Sequence, residues 1–189
     1  MAVLRFPQEN LQIDSEAGIR AALAPLGIDY ERWSLDRVGG DATADEVLAA
    51  YADEIDDMKR RGGYVTADVI DVNPATPNLE AMLARFDKEH THDEDEVRFI
   101  LSGRGVFFLH IDGRVASVEV EPGDMLRVPR GTQHWFTLCE DRRIRAIRWF
   151  QATSGWSPLY TDSGVERSYR PLCFGPAYLG PLLRSTISA

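Results

Sequence analysis

The sequence predicts a mainly β protein, an antiparallel sandwich or barrel, with helices only in its N-terminal part. Between residues 64 and 150, short runs rich in β-branched and aromatic residues recur at intervals of about ten residues. Turn residues separate these runs, and Asp112-Gly113 between two apolar runs is a strong hairpin signal. Strands of this number and spacing are typical of antiparallel sandwiches and barrels.

The N-terminal part, residues 1–63, has helical periodicity instead. Thr43 and Glu46 have the spacing of a capping box, which begins a helix. The apolar positions that follow lie on one helical face, namely Val47, Tyr51, Ile55 and Met58. A Gly-Gly pair at 62–63 is expected to end this helix, and a shorter helix is predicted over 19–26.

The strands come next along the chain, and an irregular segment follows them. The predicted strands cover residues 65–72, 97–101, 106–111, 115–120, 125–128, 133–138 and 144–150. Residues 151–189 are rich in Pro, Gly and Ser, and we expect part of this segment to pack back on the strands because long structureless tails are uncommon. A chain of 189 residues predicts one domain, at about 150 residues per domain.

Composition and charge argue against several classes of protein. Basic residues number 21 and acidic ones 30, a net charge of −9, so we expect neither nucleic acid nor an anionic membrane surface as a partner. The first ten residues have no apolar stretch of signal-peptide length, and no uncharged run could span a membrane. We therefore expect a cytoplasmic protein and, without a coiled-coil pattern, a monomer. Cys139 and Cys173 lack a metal-binding spacing and are predicted to be reduced, with a disulfide in a secreted protein as the alternative.

Two short stretches contain three of the four histidines. His90 and His92 point to one side of a predicted strand because side chains alternate along strands. Glu96 opens the next strand after an acidic turn, and His134 follows a short strand and a Pro-x-Gly turn. Three imidazoles and one carboxylate suit a divalent ion such as Fe(II), Ni(II), Mn(II) or Zn(II), and leave two octahedral positions open. The alternative is a set of unconnected histidines, which the His-x-His pair alone would favour.

The same residues resemble the two motifs of the cupin superfamily. His-x-His-x3-Glu-x6-Gly at residues 90–103 resembles the first motif, and Gly-x5-Pro-x-Gly-x2-His at 123–134 resembles the second. Cupins are small barrels, so the resemblance implies a jelly-roll-like antiparallel β-barrel with the N-terminal helices packed outside. A single cupin domain would then comprise the helical part at 1–63, a metal-binding barrel at 64–150 and a C-terminal segment at 151–189.

A longer match narrows the family. Residues 88–99, followed by Gly-x-Gly-x-Phe at 103–107, are similar to the signature of acireductone dioxygenases, and the stretches at 30–33 and 155–156 agree with it. The resemblance implies a dioxygenase of methionine salvage that cleaves 1,2-dihydroxy-3-keto-5-methylthiopentene with O2. It implies one Fe(II) or Ni(II) per chain: formate and 4-methylthio-2-oxobutanoate are expected with Fe(II), and formate, carbon monoxide and 3-methylthiopropanoate with Ni(II).

The resemblance also suggests roles for residues around the metal ligands. Arg98 lies two positions beyond Glu96, so it shares the ligand face, and the resemblance assigns it stabilisation of a substrate dianion. An ordinary ion pair is the alternative for Arg98. For Glu89 and Asp95 the resemblance suggests support of the ligands or a role in metal uptake, although a solvated acidic turn explains them nearly as well. Aromatic and apolar candidates for the substrate pocket, or else for the core, are Phe86, Ile100, Phe107 and Phe136.

Two other functions stay open from the residues alone. A metal-dependent cupin could be an isomerase or epimerase of a sugar or small acid, and a cupin can also be a non-catalytic ligand-binding protein. The four-residue ligand set argues against the second, and the run Asp95-Glu96-Val97-Arg98-Phe99 argues against the first. His110 lies outside both motifs and is interpreted as structural.

Overall fold

The structure is a computed structural model, and it describes residues 1–153, 156–169 and 173. Its strands in chain order are β1 (Val3–Phe6), β2 (Leu11–Ile13), β3 (Asp29–Arg32), β4 (Thr66–Val72), β5 (His90–Thr91), β6 (Glu96–Gly103), β7 (Gly105–Ile111), β8 (Arg114–Val120), β9 (Asp124–Val128), β10 (Gln133–Leu138), β11 (Ile144–Phe150) and β12 (Leu159–Tyr160). The helices are α1 (Glu16–Leu23), α2 (Ala44–Ala50), α3 (Ala52–Gly62) and α4 (Leu79–Leu83). The prediction of a mainly β protein is confirmed.

The strands form two antiparallel sheets. One has seven strands in the order β12-β5-β10-β7-β8-β1-β2, and the other has five in the order β3-β9-β6-β11-β4. The main core lies between them, since one buried cluster contains Phe107 and Val118 of the first sheet with Ile100 and Leu126 of the second. This two-layer arrangement agrees with the predicted jelly-roll-like fold.

Helices α2 and α3 cover the outer face of the five-stranded sheet. The four apolar positions predicted for one helical face pack against strand residues such as Phe99 and Trp149. The capping box of Thr43 and Glu46 is present, and Gly63 ends α3 in the left-handed conformation, at φ 69°. The single helix predicted here is broken at Tyr51, whose backbone leaves the helical region while its ring is buried against Phe99.

The N-terminal part is less helical than predicted. Strands β1, β2 and β3 lie within it, and they are only three or four residues long. Strands this short show no measurable alternation of apolar and polar residues in the sequence, although Leu4 and Tyr30 are fully buried in the main core. The predicted helix at 19–26 corresponds to α1 and a 3-10 turn at Ala24–Leu26.

The C-terminal segment returns across the outer face of the seven-stranded sheet. We call residues 156–169 together with Cys173 the C-terminal strap. Its strand β12 pairs with β5, and Val165, Tyr169 and Cys173 pack on an outer cluster that includes Phe108 and Trp135. The C-terminal segment was expected to pack back on the strands. For residues 154–155, 170–172 and 174–189 this expectation concerns positions outside the part of the chain that the structure describes.

The prediction that both cysteines are reduced is wrong for this structure. Cys139 and Cys173 form a disulfide, with their Cα atoms 5.7 Å apart. The pairing depends on the return of the strap across the sheet, which a spacing of 34 residues does not indicate. Among the described residues, no helix is both long and apolar enough to cross a membrane.

Candidate metal centre

The four predicted ligands come together between the two sheets. His90 is the first residue of β5 and lies directly opposite His134 of β10 in the antiparallel register. His92 follows β5, and Glu96 is the first residue of β6 in the other sheet. All four are buried, and one donor atom from each lies within 4.8 Å of the others. The antiparallel pairing of β5 with β10 and the short turn between β5 and β6 thus bring these residues, which are separated in the sequence, into one cluster.

Each imidazole is fixed by a hydrogen bond to a backbone carbonyl. Nδ1 of His90 donates to the carbonyl of Lys88 at 2.6 Å, and Nδ1 of His134 donates to that of Thr132 at 2.8 Å. Nδ1 of His92 donates to the carbonyl of Ser157 in the strap at 3.0 Å. Because a carbonyl only accepts, the proton of each neutral ring is on Nδ1, and each Nε2 presents a lone pair.

Glu96 joins the imidazoles to an arginine. Its Oε2 lies 2.9 Å from Nε2 of His134 and 3.3 Å from Nε2 of His92. Its Oε1 accepts a hydrogen bond from Nε of Arg98 at 2.7 Å. Both members of this ion pair are buried. Arg98 therefore forms an ion pair, and its partner is the carboxylate of the cluster itself.

Burial and neighbouring charges shift the pKa values in this cluster. Burial and the proximity of His134 lower the pKa of His90 to about 4. Burial also lowers the pKa of His92, but the carboxylate of Glu96 outweighs it, and the net shift is upward. Burial opposes ionisation of Glu96, yet Arg98 and the two nearby histidines hold its pKa well below the ordinary range. The cluster thus offers a neutral His90 and an ionised carboxylate at neutral pH.

These donors fit a divalent cation. Nε2 of His90 and Nε2 of His92 are buried and have no hydrogen-bond partner among the described residues. Buried polar atoms without a partner are rare because each one is costly. Three inward lone pairs and one carboxylate oxygen are the donors that borderline divalent metals prefer. The four residues therefore form a metal-binding site, and the carbonyl acceptors orient its histidines.

A cavity of about 460 Å³ lies beside the cluster. It is lined by Arg98 and by Phe86 and Trp156, whose rings contact the imidazoles of His90 and His92, respectively. Apolar side chains cover its far wall, including Ile70, Val72, Met82, Leu83, Leu138 and Ile144. The cavity can therefore take a small molecule with a polar end near the cluster and an apolar tail.

The structure divides the four predicted pocket residues. Phe86 and Phe136 line the cavity, whereas Ile100 and Phe107 belong to the core behind it. Phe107 packs on Phe136 with ring centroids 4.7 Å apart. Gly105 makes room for this wall, because a Cβ there would lie 2.3 Å from the ring of Phe136.

Arg148 is a site residue that the sequence prediction missed. It lines the cavity, lies directly opposite Arg98 on β11 and forms two hydrogen bonds to Asp68 of β4, at 2.9 and 2.6 Å. Arg148 was not singled out from the sequence, since charge composition alone assigns no role to one arginine. Its strand parity was the available signal, since it shares a face with Ile144 and Phe150, which also line the cavity.

The two flanking carboxylates bind other partners. Glu89 accepts hydrogen bonds from Nδ1 of His110 and from the hydroxyls of Thr161 and Ser163 in the strap. His110 was interpreted as a structural residue, and Glu89 is its hydrogen-bond partner. Asp95 accepts from Tyr64, Arg127 and the backbone of Arg130, and its carbonyl accepts from the indole of Trp156. Both carboxylates therefore fix segments that surround the ligands.

Comparison with known proteins agrees with this geometry. A family model described as the ARD/ARD' family matches residues 20–158. An acireductone dioxygenase of Exiguobacterium sibiricum is 40% identical over 177 residues, 88% of this chain and 98% of that protein. One from Bacillus cereus is 41% identical over 170 residues, 85% of this chain and all of that protein.

A solved structure is similar as well. It is an acireductone dioxygenase from Bacillus anthracis with a cadmium ion in the active centre, with a TM-score of 0.80 and 40% identity, covering 85% of this chain and 98% of that one. Fold and site together define a metal-binding cupin with three histidines and one glutamate as ligands. The chain belongs to the ARD/ARD' family.

Proposed function

We propose that this protein is an acireductone dioxygenase, which cleaves 1,2-dihydroxy-3-keto-5-methylthiopentene with O2 in methionine salvage. The observation that carries the proposal is the buried cluster of three histidines and Glu96, beside Arg98 and a cavity, in a chain of this family. The related protein from Bacillus anthracis has a cadmium ion in its active centre, which supports a metal at the equivalent place here. We propose Fe(II) or Ni(II) as the metal, one per chain.

The substrate class follows from the chemistry of the site. An acireductone is an enediol beside a ketone, so it is acidic and can offer two oxygens to one ion. When bound, a divalent metal supplies Lewis-acid chemistry and open positions for such oxygens. Arg98 supplies a fixed positive charge beside them, which favours the ionised enediol in a place where water is largely excluded.

The protein itself positions and shields the substrate. Phe86, Phe136 and Trp156 surround the inner part of the cavity, and the apolar far wall suits the methylthio tail. The guanidinium of Arg98 lies 4.7 Å from the ring centroid of Phe136 and 5.3 Å from that of Trp156. These rings limit rotation of the guanidinium, so its charge stays directed at Glu96 and the adjoining cavity.

Oxygen consumption tests the proposal most directly. Metal-free protein is loaded separately with Fe(II) and with Ni(II), and O2 uptake is measured with the acireductone. We expect uptake in both preparations, with 4-methylthio-2-oxobutanoate as the Fe(II) product and carbon monoxide from the Ni(II) form. Metal-free protein is the control, and it should consume only as much O2 as the acireductone does alone.

Each possible result has a clear meaning. An isomerase, an epimerase or a non-catalytic binding protein would consume no more O2 with either metal than the acireductone does alone, which would overturn the proposal. Uptake with identical products from the two preparations would retain the dioxygenase but refute selection of products by the metal. Such selection is chemically reasonable, because an acireductone carries oxygens on three adjacent carbons and can be chelated through different pairs.

A further inference from the structure

The disulfide joins two segments that each hold a metal ligand in place. Cys139 directly follows β10, the strand that carries His134. Cys173 lies at the far end of the strap, which begins with Trp156 stacked on His92 and with the Ser157 carbonyl that accepts from that histidine. The bond therefore links the strand that carries His134 to the segment that orients His92.

Between these ends, the described part of the strap is attached by a short strand pair, side-chain hydrogen bonds and ring packing. Strand β12 pairs over two residues with β5, so Tyr160 lies opposite His90. The hydroxyls of Thr161 and Ser163 donate to Glu89, and Tyr169 packs on Trp135 with centroids 5.8 Å apart. Short strand pairs and surface packing of this kind open easily unless a covalent link restrains the ends.

The disulfide can be reached from solvent. A groove of about 500 Å³ on the surface is lined by both cysteines and by charged residues such as Glu80 and Arg142. Cys139 is 4% exposed, and Cys173 is half-buried, so Cys173 is the more accessible of the two residues. Three side chains line both this groove and the cavity beside the metal cluster, namely Leu83, Phe136 and Leu138.

We propose that the Cys139–Cys173 disulfide is a redox-responsive clasp that controls how firmly the strap holds the metal centre. A dithiol reductant opens it by two exchange steps. A thiolate of the reductant attacks Sγ of Cys173, and Cys139 leaves as a thiolate and takes up a proton. The second thiol of the reductant then displaces Cys173, so the protein gains two electrons and two protons and the reductant becomes a disulfide.

Opening the clasp affects the ligands through the strap. Without the disulfide, the described part of the strap is restrained by noncovalent contacts alone. These include the β12–β5 pair, the hydrogen bonds to Glu89, the bond from the Trp156 indole to the Asp95 carbonyl and the packing of Tyr169, so the strap separates more often from the sheet. Each separation removes the carbonyl acceptor of His92 and the indole that covers it. Groups that orient metal ligands contribute about ten- to a hundredfold to metal affinity. The reduced protein should therefore release its metal faster than the oxidised protein does.

Metal release measures this effect without any substrate. Full-length protein loaded with Ni(II) is divided into an oxidised sample and one reduced with dithiothreitol and desalted without oxygen, so that the reductant does not bind the metal. Thiol alkylation followed by mass measurement verifies both states. Excess chelator is then added, and transfer of Ni(II) is followed over time. We expect release about tenfold faster from the reduced sample.

The double variant Cys139→Ser/Cys173→Ser is the matched control. It should release Ni(II) at the rate of the reduced protein, and dithiothreitol treatment should not change that rate. Two free thiols in air-equilibrated protein, or equal release from the oxidised and reduced samples, would overturn the proposal. Neither result depends on folding of the variant or on turnover of an acireductone, so the clasp and the proposed function can fail separately.

Discussion

The seven-stranded sheet contributes imidazoles to the metal centre, whereas the five-stranded sheet contributes charged groups. His90 and His134 are paired across β5 and β10 of the first sheet. Glu96 and Arg98 are on β6 of the second sheet, with Arg148 directly opposite Arg98 on β11. His92 lies in the turn between the two sheets.

The two contributions have different physical consequences. Imidazoles fixed by carbonyl acceptors determine whether a borderline divalent metal binds at all. The buried ion pair of Glu96 and Arg98 determines the electrostatic potential where a substrate would lie. Substitutions of the imidazoles in the seven-stranded sheet should therefore change metal content. Substitution of Arg98 in the five-stranded sheet should change turnover while metal remains bound.

The largest effect is expected on the imidazole side. His134→Ala removes a donor atom that no neighbouring side chain replaces, so metal content should fall well below one ion per chain and activity should be lost. Metal analysis after gel filtration and O2 uptake with the acireductone measure both. Because bound metal stabilises the native state, the melting temperature of the variant should also respond less to added metal than that of the parent protein.

Gln133→Ala provides the matched control on the same strand. Gln133 is the exposed neighbour of His134 and points to the opposite face of the sheet, so its removal should leave metal content and turnover near those of the parent protein. A full metal load in His134→Ala would exclude this histidine from the site. Equal losses in both variants would show that the strand, rather than the imidazole, is responsible.

On the charged side, Arg98→Ala should separate turnover from metal binding. We expect the metal to stay bound while kcat falls on the order of 10²–10³-fold, the usual cost of losing one charge-stabilising donor. Arg98→Lys should recover only part of the rate, since an ammonium cannot reproduce the planar guanidinium that lies between Glu96 and the aromatic rings. Unchanged turnover in Arg98→Ala, with metal content measured in the same sample, would make the arginine structural.

The difference between the sheets also explains what could be predicted from the sequence. The imidazole side follows from local rules, because strand alternation and a short turn bring His90, His92 and Glu96 together within seven residues. Only the position of His134 beside the other ligands depends on tertiary structure. The turn residues that precede His134 in the sequence form a recognisable motif, which indicates this ligand. All seven predicted strands, which correspond to β4 and to β6 through β11, agree with the structure within two residues at each end for the same reason.

The missed features depend on contacts across the fold. Strands β1 to β3 are too short for a periodic signal, and β1 and β3 pair with strands far along the chain, β8 and β9. The disulfide forms because the strap crosses the outer face of the sheet, where spacing alone has no information about distance. The place of Arg148 in the cavity wall could not be predicted, since charge composition does not distinguish an arginine on a solvated face from one that lines a cavity.

Arg148 allows a finer comparison within the five-stranded sheet. Both arginines line the cavity, but Arg98 is 5% exposed and bound to the buried Glu96, whereas the side chain of Arg148 is 23% exposed and bound to Asp68, which is 47% exposed. Solvent screens the second pair, so it is worth about 1 kcal/mol or less. We therefore expect Arg98, which is buried, to affect the rate of the reaction, and Arg148, which is half-buried, to affect substrate binding.

Asp68→Asn tests that distinction with the smallest change. Asparagine keeps one acceptor for Arg148 but loses the charge and the second carboxylate oxygen, so the guanidinium is held less firmly at the cavity wall. An interaction of about 1 kcal/mol corresponds to about fivefold, and we expect KM for the acireductone to rise by that factor or less with kcat unchanged. Steady-state kinetics of the metal-loaded variant measure both constants. A fall in kcat comparable to that of Arg98→Ala would instead place Arg148 and Asp68 in the same electrostatic unit as Glu96 and Arg98.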